Sequence, residues 1–236
     1  MKNDTLENSL RDFEIEYTAE RLEKLERYYE LLATKNKEMN LTAITEYDDV
    51  MRKHFADSLS VLAFHKFSGD DRILDLGTGG GFPGIPLKIF LPGNEFLLVD
   101  SVNKKLDFID SVIAELDLKN IATCHGRAED LAKDKKYREK YDVILSRAVA
   151  NLSTLTELSL GFVRKGGMFV SYKGSSGRDE LEAAGHAVDV MGGRVEDVKE
   201  YELPGGDRRM LLFIKKEKET PSMYPRKAGT PAKKPL

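Results

Sequence analysis

The sequence predicts an α/β protein: a mostly parallel, doubly wound, seven-stranded sheet with helices on both faces, preceded by a helical N-terminal extension. Two observations predict this fold. From residue 72 onward, short apolar segments alternate with amphipathic segments of about 10–15 residues, which is the pattern of strands joined by crossover helices. A glycine-rich turn directly follows the first apolar segment, and such turns line the ligand crevice of doubly wound sheets.

The first 66 residues are predicted to be helical. Over residues 18–38, apolar side chains recur every three or four positions, and Thr18 can cap the start of this helix. The recurring residues are Leu22, Leu25, Tyr28, Tyr29 and Leu32. A second helix is predicted over 47–66. Its inward-facing residues are expected to be Val50, Phe55, Leu59 and Leu62.

The remaining elements follow in order along the chain. The predicted strands are 72–76, 95–100, 121–125, 141–148, 167–174, 194–203 and 208–216. The predicted helices between them are 84–91, 103–118, 152–164 and 178–190. No helix separates the last two strands, so one strand of the sheet must run antiparallel. That ending is typical of Rossmann-like class I methyltransferases and is not expected in dehydrogenases.

Length and composition limit the classes of protein. The 236 residues suit one large domain with an extension, divided as 1–66 (helical extension), 67–219 (α/β domain) and 220–236 (basic C-terminal tail). The single cysteine, Cys124, excludes an internal disulfide and a multi-cysteine zinc site. We therefore expect no metal, and we expect a reducing, cytoplasmic location. A net charge of −3 gives no global basic field. No membrane span or signal peptide is recognisable, and a monomer is expected.

The glycine-rich turn reads "DLGTGGGFPGIP" over residues 75–86. Gly77 and Gly79 can adopt positive φ and let a ligand approach the backbone. A dinucleotide fingerprint would have a third glycine where Phe82 stands, whereas G-x-G-x-G, completed by Gly81, is the form found in S-adenosylmethionine sites. No Gly-Lys-Ser/Thr follows, which excludes a P-loop. The spacing therefore favours S-adenosylmethionine over NAD.

Residues at the other strand ends complete the predicted nucleoside site. Asp75, at the end of the first strand, is expected to point its carboxylate into the crevice. Asp100, at the end of the second strand, can accept hydrogen bonds from both ribose hydroxyls. NAD and S-adenosylmethionine both contain such a ribose, so Asp100 does not distinguish them. After the third strand, "GRAED" places Ala128 and Glu129 beside the adenine ring, where a backbone N–H can read the base edge.

The end of the fourth strand, "ILSRAVA" over 144–150, limits the acceptor chemistry. It lacks the Asn/Asp-Pro-Pro-aromatic turn of enzymes that methylate exocyclic amines. Methylation at cytosine C5 needs a cysteine nucleophile, and Cys124 lies within a predicted strand, where it is expected to pack. O-methylation with Lys173 as the base stays open. Guanine N7 has a free lone pair and loses no proton when methylated, so a site without a general base is compatible with it.

Seven motifs spread along the chain resemble one known family. They are "NLTAI" (40–44), "RKHFADSL" (52–59), "DLGTGGGFPGIPLKI" (75–89), "DSVNKKLDFI" (100–109), "GRAED" (126–130), "SRAVA" (146–150) and "YPRKAGTPAKKPL" (224–236). Together they resemble the bacterial 16S ribosomal RNA guanine-N7 methyltransferases called RsmG, or glucose-inhibited division protein B. The resemblance runs from about residue 20 to the C-terminus.

This resemblance implies S-adenosylmethionine as cofactor and methyl transfer to one guanine N7 in the decoding-region loop of small-subunit RNA. The cofactor contacts that it implies are Gly77, Phe82, Ala128, Glu129 and Arg147, to which the strand-end argument adds Gly79 and Asp100. The residues that it implies around the acceptor are Asn40, His54, Arg147 and Lys173.

Simpler roles remain open for several of these residues. His54 can be a packing histidine, Asn40 a residue that turns the link between helices, and Lys173 a solvated lysine. Arg147 follows an apolar strand at the crevice, where a guanidinium can hold a phosphate or stack on a base. The basic residues of the tail, either solvated or clasping phosphates, are Arg226, Lys227, Lys233 and Lys234. The alternative functions are a small-molecule methyltransferase and a ribosome-assembly protein that only binds S-adenosylmethionine.

Overall fold

The computed structural model describes residues 4–147 and 149–236. Within those ranges the chain forms a seven-stranded sheet with helices on both faces, which confirms the predicted fold class. The strands are β1 (Arg72–Leu76), β2 (Glu95–Asp100), β3 (Ile121–His125), β4 (Tyr141–Arg147), β5 (Val163–Lys173), β6 (Gly193–Leu203) and β7 (Asp207–Lys216). The predicted fourth strand extended to Ala148, which lies outside the described residues.

The strand order is β3-β2-β1-β4-β5-β7-β6. Strands β1 to β5 pair in parallel, whereas β7 lies antiparallel between β5 and β6, as the missing crossover helix predicted. The order reverses beside β1, so the crevice at the carboxyl ends of β1 and β4 is the switch point where ligands bind in such sheets. The glycine-rich turn follows β1 and therefore borders this crevice.

Helices form at every predicted position, although several are divided or end elsewhere. They are α1 (Asp4–Asp12), α2 (Ala19–Met39), α3 (Tyr47–Val50), a π-helical segment (Met51–Ala56), α4 (Asp57–Leu59), α5 (Val61–Phe64), α6 (Gly84–Phe90), α7 (Asn103–Glu115), α8 (Ala128–Leu131), α9 (Leu152–Leu160), α10 (Gly177–Ala183), α11 (Gly185–Val190) and α12 (Thr230–Lys233). The predicted helix 152–164 is shorter because Val163 already pairs with β4. The predicted helix 178–190 is two helices, and the predicted helix 47–66 is divided into α3, the π-helical segment, α4 and α5.

The N-terminal helices share one hydrophobic core with the sheet. Thr18 caps α2 as predicted, by accepting a hydrogen bond from the backbone N–H of Arg21. The apolar side of α2 is buried, and each large apolar side chain there stabilises the fold by about 1.5–3 kcal/mol. Tyr28 is fully buried, and its hydroxyl donates to the carbonyl oxygen of Gly80. Helix α2 is thereby fixed directly to the glycine-rich turn.

The basic C-terminal tail is folded against the α/β domain. Arg226 forms an ion pair with Glu157, a fully buried residue of α9. Arg138 donates to the carbonyl oxygens of Thr220 and Tyr224, at 2.7 and 2.9 Å. A solvated, detached tail was one of the two expectations. The tail is instead docked, and of its four basic side chains the three lysines are exposed while that of Arg226 is partly buried.

Gly81, the third glycine of the G-x-G-x-G pattern, is required by packing. Gly81 has φ of 104°, and a Cβ there would lie 2.5 Å from the hydroxyl oxygen of Tyr28 and 2.9 Å from Cγ1 of Ile85. We expect Gly81→Ala to lower the free energy of unfolding by about 1–3 kcal/mol, measured by urea denaturation. Gly69→Ala is the matched control, because a Cβ at Gly69 meets no atom within 4 Å, and it should be close to neutral.

A double-mutant cycle checks the cause. The Tyr28→Phe substitution removes the hydroxyl that the new Cβ would meet, so Gly81→Ala should cost less free energy in that background than in the native chain. Equal costs in both backgrounds would show that Tyr28 does not impose the glycine.

Candidate functional site

Two cavities lie side by side at the carboxyl ends of the strands. The first, of about 340 Å³, is bordered by the ends of β1, β2 and β3. The second, of about 570 Å³, is bordered by the ends of β4 and β5 and by the π-helical segment. We call them the nucleoside cavity and the acceptor cavity. Val149, which is 40% exposed, lines both cavities. The two cavities are therefore neighbours that share one residue of their lining.

The glycine-rich turn adopts the backbone conformation that its sequence predicts. Gly77 and Gly79 have φ of 73° and 61°, in the left-handed region that favours glycine. Gly77 lines the nucleoside cavity, and a Cβ on Gly77 would collide with the side chain of Val149. Gly79 has a different role, because its N–H donates to Oδ2 of Asp100 at 2.9 Å. The turn is thus held by the end of β2.

Asp75 does not point into the crevice, contrary to expectation. Its side chain is fully buried, and its Oδ2 accepts hydrogen bonds from Thr78 Oγ1 at 2.7 Å and from the N–H of Gly84 at 2.9 Å. Burial raises the pKa of this carboxyl group to about 7, against the opposing effect of the Thr78 hydrogen bond. Asp75 caps the start of α6 and shapes the turn from inside the protein.

Asp100 lies where the ribose argument placed it, in the wall of the nucleoside cavity. It is 6% exposed, and its two carboxylate oxygens accept from the N–H groups of Gly79 and Val102, each at 2.9 Å. A carboxylate can accept about four hydrogen bonds, so capacity remains for a ligand hydroxyl. Val102 is 44% exposed in the same cavity and offers an apolar surface to a flat ring.

Ala128 and Glu129 line the opposite side of the nucleoside cavity. They are the first two residues of α8, and the first N–H groups of a helix have no acceptor within that helix. These groups are suitable donors for a base edge. The Glu129 carboxylate is largely buried, and its Oε1 accepts from the N–H of Gly229 in the tail at 2.8 Å. The tail thus contacts a residue of the cavity wall.

Phe82 has a packing role in the structure and lines neither cavity. Its ring is 6% exposed and stacks on the imidazole of His54, with ring centroids 4.5 Å apart and planes 15° apart. The guanidinium of Arg147 lies over the same ring, 5.1 Å from its centroid. Phe82, which stands where a dinucleotide site has glycine, therefore packs against two of the predicted acceptor residues, His54 and Arg147.

Arg147 lies at the wall of the acceptor cavity and is held by several acceptors. Its Nη1 donates to Oδ2 of Asp57 at 3.0 Å, and to the carbonyl oxygens of Lys53 and His54 at 3.1 and 3.4 Å. Its Nη2 donates to Nδ1 of His54 at 2.9 Å. The π-helical turn supplies these two carbonyl oxygens, and π turns of this kind are frequent at functional sites.

His54 is held as a neutral imidazole with its proton on Nε2. Because a guanidinium can only donate, the contact with Arg147 makes Nδ1 the acceptor. Nε2 then donates to Oγ1 of Thr42, 2.7 Å away. Burial, assisted by the charge of Arg147, lowers the pKa of His54 to about 3. Both ring nitrogens have protein partners, so this geometry does not favour His54 as a general base.

Lys173 and Asn40 occupy different places. Lys173 lies in the acceptor cavity, where its Nζ donates to Oε2 of Glu180 and to the carbonyl oxygen of Ala150, both at 2.7 Å. Asn40 is exposed and ends α2 in the left-handed conformation, with φ of 49°. It lines a separate cavity beside α2 and is not brought together with Arg147. Its geometry fits the simpler role of turning the chain.

Asp57 is the residue that sequence reasoning missed. It is 4% exposed, and besides Arg147 it accepts from the hydroxyl of Tyr201 at 2.9 Å, with Nε of Arg209 at 3.5 Å. The available signal was an acidic residue at an apolar helical position within "RKHFADSL". Its partners Arg147 and Tyr201 lie 90 and 144 positions away along the chain, so no local pattern could identify them.

Comparisons with known proteins give the family. The model of the family described as GidB, rRNA small subunit methyltransferase G, matches residues 21–211. A ribosomal RNA small subunit methyltransferase G of Lachnoclostridium phytofermentans is 48% identical over 99% of this chain and 97% of its own length. The protein with the same name from Lactococcus lactis subsp. cremoris is 43% identical, and the match covers 100% of both chains.

Solved structures of lower identity show the same fold. A precorrin-6y C5,15-methyltransferase from Geobacter metallireducens superposes with a TM-score of 0.53 at 13% identity, covering 67% of this chain and 87% of the other. The YcgJ protein of Bacillus subtilis superposes with a TM-score of 0.55, also at 13% identity, covering 70% and 100%. The fold, the glycine-rich turn and the full-length relatives agree, and this chain belongs to the rRNA small subunit methyltransferase G family.

Proposed function

We propose that this protein transfers the methyl group of S-adenosylmethionine to N7 of one guanine in 16S ribosomal RNA. The observation that carries the proposal is the pair of cavities that meet at Val149. The first has the features of a nucleoside site, and the second can admit a flat base between Arg147 and Lys173. The family supports methyl transfer to small-subunit ribosomal RNA.

The residues of the nucleoside cavity fit the cofactor. Gly77 lets a ligand approach the backbone, Asp100 can accept ribose hydroxyls, and the start of α8 offers N–H donors to adenine. Val102 and Val149 are apolar and exposed, as the faces of a flat ring require. When bound, S-adenosylmethionine supplies an electrophilic methyl group on a positively charged sulfur.

The reaction needs no proton acceptor. The lone pair of guanine N7 forms the new N–C bond, the C–S bond breaks, and its electron pair stays on sulfur, which becomes a neutral thioether. The positive charge moves to the base, and no proton leaves. The protein therefore has to position the two reactants, and positioning alone can supply about 7–11 kcal/mol of barrier reduction. This suits a site in which His54 is held neutral by Arg147 and Thr42.

The substrate sets the expected partners and location. A base within a structured RNA has to be displaced from its stack to enter the acceptor cavity between Arg147 and Lys173. Within the described ranges, no helix has both the length and the apolar character needed to cross a membrane. An enzyme that modifies ribosomal RNA acts where ribosomes are assembled, and for that reason we predict a cytoplasmic location. A monomeric state is also still a prediction.

The direct test is a methyl-transfer assay with purified protein, 16S RNA and isotopically labelled S-adenosylmethionine. We expect label in the RNA and, by mass spectrometry of nuclease fragments, one N7-methylguanine. Label on a small molecule but not on RNA would support a small-molecule methyltransferase. Cofactor binding without any transfer would support the assembly-protein alternative.

Arg147→Lys should lower the rate of methyl transfer about 100-fold, because an ammonium group cannot reach a carboxylate, a ring nitrogen and two carbonyl oxygens at once. The measurement is kcat with saturating cofactor and RNA, with thermal unfolding followed in parallel. Arg164→Lys is the matched control: Arg164 is exposed, pairs with Asp142 at the surface, and should be replaceable without effect. A rate close to native for Arg147→Lys would remove Arg147 from the site.

His54→Gln should retain activity within about tenfold, because a glutamine amide can still accept a hydrogen bond from Arg147 and donate one to Thr42. If His54 were a general base, the same substitution would lower the rate about 10²–10⁴-fold. Because the folded protein lowers the pKa of His54 from its ordinary value of 6.5 to about 3, its NMR signals should stay constant from pH 8 to pH 5. His54→Ala, which removes both contacts, should be the more damaging change. A large loss in His54→Gln together with a titration near pH 6.5 would instead identify a base.

A further inference from the structure

The C-terminal tail contacts two helices that contribute residues to the nucleoside cavity. Helix α8 contributes Glu129 to one wall, and helix α9 contributes Leu158 to another. These helices are separate in the sequence, with β4 between them. The tail contacts both: the N–H of Gly229 donates to Oε1 of Glu129 at 2.8 Å, and Arg226 binds Glu157, the neighbour of Leu158 on α9.

The contact between Arg226 and Glu157 is the anchor of the tail. Glu157 has no exposed surface, so its carboxylate depends on protein donors. Oε1 accepts from the backbone N–H and from Nε of Arg226, at 2.7 and 3.0 Å. Oε2 accepts from Nε and Nη2 of Arg226, at 3.1 and 2.6 Å. Arg226 thus donates hydrogen bonds to both carboxylate oxygens of Glu157.

Two further hydrogen bonds order the rest of the tail. Nη2 of Arg226 donates to the carbonyl oxygen of Lys234 at 2.7 Å, which closes the tail around α12. Oγ1 of Thr154, a buried residue of α9, donates to the carbonyl oxygen of Pro231 at 3.1 Å. The segment from Arg226 to Lys234 is therefore fastened to α9 at two points and to α8 at one.

We propose that Arg226 and Glu157 are positioning residues for the cofactor, because the tail that they anchor ties α8 to α9 and fixes Glu129 at the adenine side of the nucleoside cavity. The inference rests on the proposed function, in which this cavity holds S-adenosylmethionine. It separates two roles within one basic segment. Arg226 is occupied by Glu157, whereas the exposed ammonium groups of Lys227, Lys233 and Lys234 remain for RNA phosphates.

The test is calorimetric binding of S-adenosylhomocysteine, the thioether product, to the full-length protein and its variants. The native protein should bind it, and failure to bind would contradict the proposed function rather than the role of the tail. Arg226→Ala should raise Kd about tenfold. This is the change expected when the ligand loses about one hydrogen bond to the less ordered cavity wall. A native Kd for S-adenosylhomocysteine in Arg226→Ala would overturn the inference, whatever the KM for RNA.

Lys233→Ala is the matched control, because it removes a tail charge whose side chain is exposed. It should leave Kd unchanged, and an increase equal to that of Arg226→Ala would show that charge, rather than docking, matters. Thr154→Val covers the case in which Arg226→Ala does not fold, since it loosens only the contact with Pro231. We expect a rise in Kd of about threefold for this variant, and an unchanged Kd would overturn the inference.

Discussion

The ion pair between Arg147 and Asp57 joins the three parts of the molecule on which the site depends. Arg147 ends β4, Asp57 begins α4 in the N-terminal helices, and Phe82 of the glycine-rich turn supports the guanidinium from below. Both charges are nearly inaccessible to water, so each needs the other. The contact therefore fixes how the N-terminal helices sit over the sheet, and with that the shape of the acceptor cavity.

The fold and the lining of the nucleoside cavity could be predicted from sequence because their signals are local. Apolar periodicity marked the strands, and the spacing of Gly77 and Gly79 required a turn with positive φ, which both residues adopt. The position of Asp100 in the cavity wall was predicted from its place at the end of β2. Asp75 was misjudged because a residue at a strand end can equally cap the following helix, and the pattern does not distinguish the two.

The acceptor side was harder because its contacts join distant positions. Asp57 and Tyr201 bind each other across 144 positions, and neither stands out in its own segment. The family resemblance placed His54 and Arg147 in one site, but it could not show that Arg147 fixes the tautomer of His54. The tail was equally hard to interpret, since a run of basic residues carries no sign that one of them meets a buried carboxylate.

The buried carboxylate of Glu157 has a consequence for biosynthesis. Glu157 leaves the ribosome 69 residues ahead of Arg226, and at about 5–20 residues per second that interval lasts roughly 3–14 s. During it, the Glu157 carboxylate lacks Arg226, which donates hydrogen bonds to both of its oxygens in the folded protein. The tail can therefore join α9 to α8 only after Arg226 has emerged, so the contact between Gly229 and Glu129 forms late in synthesis.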